Sequence, residues 1–170
     1  MLRFVRAGLA AAFLAFFLSS AIAADKPLKQ SALDGAAIKL EAQIKSDAGT
    51  VTKPSAALKR DADAAFQKND FRSGMLVLGQ LVTVAPDDAS SWLRLARTIL
   101  QIKPRDDREK ALLLDRASTA AYIAYVRAGD RALEADSLSV LGRALADRQQ
   151  WRGALDAMRA SLDLREAADL

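Results

Sequence analysis

Phe71 to Ile99 reads FRSGMLVLGQLVTVAPDDASSWLRLARTI, and this stretch decides the fold class. Phe71, Gly74, Leu78 and Leu81 mark the second helix of one hairpin, which must stop before Pro86. Proline lacks the amide hydrogen and its ring clashes with the preceding turn. Trp92, Leu95, Ala96 and Ile99 then open the next hairpin at helical spacing. Leu58 stands 34 residues before Trp92, so the two hairpin openings are in step.

A period of 34 with this pattern is the signature of a tetratricopeptide-like helix pair, a unit that buries its apolar face only by stacking on neighbours. A third hairpin restores Leu141-Gly142 in its first helix and Trp151, Ala154 and Met158 in its second. Leu138, the counterpart of Trp92, lies 46 residues beyond it, so the middle repeat carries an insertion of 12. Ala96 and Gly142 are small enough to let a helix approach its partner, while Phe71 and Trp151 are expected to plug the gaps between adjacent hairpins. The expected fold is all-α: tetratricopeptide-like antiparallel helical hairpins stacked as a short solenoid.

Working outward, Leu33, Ala36, Ala37, Leu40 and Ile44 predict an amphipathic helix over Ser31–Lys45 that docks on the repeats. Ser46–Pro54, with Gly49 and Pro54, reads as a loop. Ser55 is the expected N-cap of a helix running to Lys68, and Asn69-Asp70 makes the turn. Asp87 or Asp88 caps the helix of Trp92, and Asp106 with Glu109 has capping-box spacing. A long helix then covers Asp107–Ala128 and is broken at Gly129-Asp130. The organisation is therefore a signal peptide over 1–23, a leader with one helix and a loop over 24–54, and helical repeats over 55–170.

The signal peptide follows from Arg3 and Arg6, an apolar run from Leu9 to Leu18, and the small-x-small site Ala21-Ile22-Ala23. That run is shorter than the roughly 20 apolar residues of a spanning helix, so contact with the membrane is expected only during export. The expected location is the periplasm. Without Arg3 and Arg6 the balance is 23 basic against 21 acidic residues, and nucleic acid is not an expected partner. Acids also interrupt the basic run of Arg94, Arg97, Lys103, Arg105 and Arg108. There is no cysteine, so an exported chain must rely on packing rather than disulfides. There is no histidine either, which removes histidine triads, most zinc sites and the usual pH switch.

No phosphate loop, H-E-x-x-H or G-x-S-x-G occurs, so neither an enzyme nor a cofactor site is expected. Asp87-Asp88 and Asp106-Asp107 are carboxylate pairs, but both fall at helix starts, where acids cap free amides. Trp92, Trp151, Tyr122 and Tyr125 sit at helical spacing and are read as packing residues. What remains is the concave face that curved helical repeats create. Its side chains, at recurring first-helix positions, are Lys59, Asp63 and Gln67; then Arg97 and Gln101; then Ser139, Arg143 and Asp147. Mixed charge there suits a protein or peptide partner; the alternative is an ordinary solvated face.

The runs DADAAFQKNDFR (Asp61–Arg72), WLRLARTILQIKPRDDREK (Trp92–Lys110) and DRASTAAYIAYVRAGDR (Asp115–Arg131) carry a family likeness. They resemble the N-terminal helical region of bacterial alpha-2-macroglobulin-like proteins, and the likeness extends over nearly the whole chain. It implies export and a periplasmic role in trapping proteases through a bait segment and, often, a thioester. Without cysteine there is no thioester here, and no inhibitory residue carries over. The implied partner is the set of downstream domains of a larger macroglobulin-like protein. Leu162, Leu164, Ala167, Ala168 and Leu170 run on without a helix stop, which suits a fragment of such a trap. The competing expectation is a free-standing periplasmic adaptor that binds a peptide or envelope protein.

Overall fold

The computed structural model describes residues 31–167. The signal peptide expected over 1–23, together with Ala168 and Leu170, lies outside the described residues. The described residues form an all-helical protein: α1 (Ser31–Ala48), α2 (Ser55–Gln67), α3 (Phe71–Val84), α4 (Ala89–Ile99), α5 (Asp107–Arg127), α6 (Arg131–Asp147) and α7 (Trp151–Glu166). Each helix from α2 onward packs on the next in sequence, and α4 also touches α6. α1 lies against both α3 and α5.

Four acids set four of the helix starts. Asp70, Asp88, Asp106 and Asp130 each accept a hydrogen bond from the backbone N–H three residues on. That satisfies one of the donors a helix N-terminus leaves free. Of Asp87 and Asp88, it is Asp88 that caps. Glu109 departs from the capping box by one residue: its carboxylate accepts from Arg105 N at 2.6 Å instead of from Asp106 N. Two other expectations are corrected. Pro54, not Ser55, occupies the N-cap of α2, with no side-chain cap, because proline's fixed φ (−68°) suits the entry and Ser55 is already helical. α1 runs on to Ala48, and the loop begins only near Gly49, whose φ of +60° breaks the helix.

The hairpins α2–α3 and α6–α7 turn in the same way. Asn69 and Gln149 stand 80 residues apart, both left-handed, with φ of 55° and 62°. In each turn the following amide reaches back at 2.9 Å, Asp70 N to Ala65 O and Gln150 N to Leu145 O. These bonds return the chain while satisfying carbonyls at the helix end.

The core is continuous from α1 to α7. Leu58, Leu78, Trp92, Leu95, Tyr122, Leu138 and Leu141 are essentially inaccessible. Ala117 to Tyr125 is buried without interruption, because α1, α4 and α6 surround the middle of α5. Trp92 packs as expected and its indole N–H donates to Pro86 O at 2.7 Å. Tyr122 faces α1 and donates to Asp34 Oδ1 at 2.5 Å. Small residues do permit close approach: a Cβ on Gly142 would stand 2.8 Å from Met158 Cγ and 3.2 Å from Ala154 O.

The gap-plugging aromatics need correction. Phe71 packs on Phe66 of its own hairpin, ring centroids 6.3 Å apart. Trp151 is 62% exposed and plugs nothing among the described residues. Its helix has no following helix to cover it there.

Candidate partner-binding face

The eight side chains expected on the first-helix face come from α2, α4 and α6, and all eight are exposed. Three are tied into ion pairs. Lys59 Nζ reaches Asp88 at 3.1 Å, Asp63 pairs with Arg94, and Arg97 Nη2 donates to Asp136 Oδ2 at 2.8 Å. Gln67, Gln101, Ser139, Arg143 and Asp147 make no side-chain hydrogen bond or ion pair among the described residues. The structure thus joins α2 to α4 through Asp63–Arg94, and α4 to α6 through Arg97–Asp136. Asp136 also accepts from Arg165 of α7 at 2.9 Å, which extends the chain of charges to the last helix.

Arg94, Asp136 and Arg165 were not among the sequence candidates. Arg94 precedes Arg97 by three residues on α4, a one-turn spacing that was readable. Its partner was not, since Asp63 and Asp136 lie 31 and 39 residues from the arginines they meet. Arg94 also lies over the Phe66 ring, its Cζ 4.8 Å from the centroid, which adds a cation–π contact to α2.

Two carboxylates, Glu109 and the Lys59 partner Asp88, are held firmly ionised. Glu109 accepts both Arg72 guanidinium nitrogens, at 2.9 and 3.2 Å, and two donors of Arg105. These bonds, Arg72's first, lower its pKa to about 2. Burial works against ionisation of Asp88, but donors from Ser90, Ser91 and Lys59 outweigh it and hold its pKa well below the usual carboxylate range. Both are fixed anions with structural partners, not poised acids or bases.

An apolar cavity of about 260 Å³ lies among α1, α3, α4 and α5, lined by Leu40, Ile44, Met75, Gly79, Leu95 and Ile99. Asp47 and Arg116 stand at it, 3.9 Å apart. Among the described residues no three histidine, cysteine, aspartate or glutamate side chains gather as a metal site. No described helix is long and apolar enough to cross a membrane.

These elements define an all-α protein whose exposed chemistry is a mixed-charge helical face. No protein-family model matches the chain, and no curated protein matches it as a relative.

Proposed function

We propose that this chain is a periplasmic helical-repeat scaffold that binds protein, built as a tetratricopeptide-like solenoid and comparable to the N-terminal helices of a macroglobulin-like protease trap without its inhibitory machinery. The observation that carries the reading is the recurrence of one hairpin design. The α2–α3 and α6–α7 turns repeat at 80 residues, and the small residues Ala62, Ala96 and Gly142 are buried at equivalent first-helix positions. Repeats of this kind present an extended face rather than a pocket, and such faces hold polypeptide. The free side chains of Gln101, Ser139, Arg143 and Asp147 offer both donors and acceptors to a partner's backbone. Export is supported by the N-terminal sequence, and the family likeness supports a place beside protease-trapping domains.

The test is retention of an envelope protein on the immobilised chain. Arg97→Glu combined with Arg143→Glu should release it at least tenfold more readily, with the chain still folded as judged by its helical melt, since reversing charge opposite a partner costs several kcal/mol. Retention that ignores both substitutions would remove this face from the function.

A further inference from the structure

The last helix carries an apolar stripe that the rest of the fold teaches how to read. Trp151, Leu155, Met158 and Leu162 are 62, 54, 39 and 57% exposed. Eighty residues earlier, the same positions of α3 are Phe71, Met75, Leu78 and Val82, of which Leu78 and Val82 are buried and the other two half-buried. On α5 the corresponding Ala117, Ala121 and Ala124 are fully covered. The next first helix packs on each of these two, α4 on α3 and α6 on α5. Only on α7 does the inherited core surface face solvent among the described residues.

What distinguishes α7 is the flank of that stripe. Arg152, Asp156, Arg159 and Asp163 alternate in charge along one side, all exposed, and none makes an ion pair or side-chain hydrogen bond among the described residues. The equivalent α3 residues are Arg72, Leu76, Gly79 and Thr83, with no such alternation. The order basic, acidic, basic, acidic is complementary to itself when reversed. In an antiparallel helix pair, residues on the same flank face one another. Arg152 then meets Asp163 of a second α7, and Arg159 meets the second Asp156. Pairing Trp151 with Leu162 and Leu155 with Met158 centres the two helices one residue earlier, about 1.5 Å along the axis, so one antiparallel arrangement serves both sets.

We propose that α7 is a dimerisation helix, pairing antiparallel with α7 of a second copy about a two-fold axis near Ala157. An isologous pair closes on itself and covers the stripe on both copies at once.

The experiment is sedimentation equilibrium on the chain from Ala24 onward, which contains the whole described fold, between about 1 and 100 μM, where a modest interface populates both states. The unaltered chain should be a reversible dimer. A chain with Asp156→Arg and Asp163→Arg, and one with Arg152→Asp and Arg159→Asp, should each dissociate at least tenfold more readily alone, because like charges then face each other. Mixed in equal amounts, the two should form a heterodimer. Circular dichroism checks that both variants fold, as exposed substitutions should allow. A monomer across the range would overturn the proposal. So would a dimer indifferent to both reversals, or a mixture of the two variants that stays monomeric.

Discussion

Glu109 shows how one residue ties a long insertion to the fold. It lies at the start of α5, yet it grips Arg72 at the start of α3, and Arg72 also donates to Lys103 O at 3.1 Å. The loop between α4 and α5 is thereby pinned at both ends. Because the folded state holds Glu109 near pKa 2 against an ordinary 4.5, its ionised form stabilises the fold fully above about pH 4.5. That contribution is lost as pH falls from 4.5 through about 2. Glu109→Gln should lower the melting temperature at pH 7 and flatten its acid limb between those limits, as measured by thermal melts across pH. An acid limb of unchanged slope would show that the arginines do not hold this carboxylate. Asp106, and Asp88 as one of two candidates, were legible as caps because a cap is a local bond, whereas Asp70 and Asp130 were read only as a turn and a helix break. Glu109's arginine partner at position 72 was not legible, since that bond spans 37 residues.

Among the helices, α3 and α7 invite comparison because they begin alike and are capped differently. Asp70 and Gln150 have nearly the same backbone, φ −87° and −89°, after equivalent left-handed turns. Asp70 caps α3 through its side chain, whereas Gln150 makes no side-chain cap on α7. Gln150→Asp should therefore place a carboxylate on a free amide near Gly153 and raise stability by about 1 kcal/mol. Urea denaturation would read this as a higher midpoint with an unchanged slope; no gain would mean that the α7 entry is set by packing alone. α1 was also legible as an amphipathic helix that docks. Its end, set by the left-handed Gly49, and its seat between α3 and α5 were not. The seat depends on Tyr122 and Arg127, whose bonds to Asp34 and Glu41 span 88 and 86 residues.

Taken as one body, the chain has a core that runs unbroken through every helix, so unfolding should be a single event. Leu138 is fully buried in α6, the helix that contacts α4, α5 and α7. Leu138→Ala should cost about 2–5 kcal/mol and shift one cooperative transition rather than split it. Two separate transitions by circular dichroism would show that α6–α7 melts as its own unit. The amino-acid order was enough for the all-helical class, the hairpin rhythm, most helix limits and the lack of histidine or cysteine chemistry. The last is composition, and the others rest on local rules: helical periodicity, proline and glycine punctuation, and caps within one turn. It also placed the eight face residues on the surface. Folding in three dimensions was needed to show which of them are already paired, how α1 is seated, and that Trp151 stands in solvent. Each of those depends on what lies across a helix interface, and a one-dimensional repeat pattern marks an apolar position without saying whether a neighbouring helix arrives to cover it.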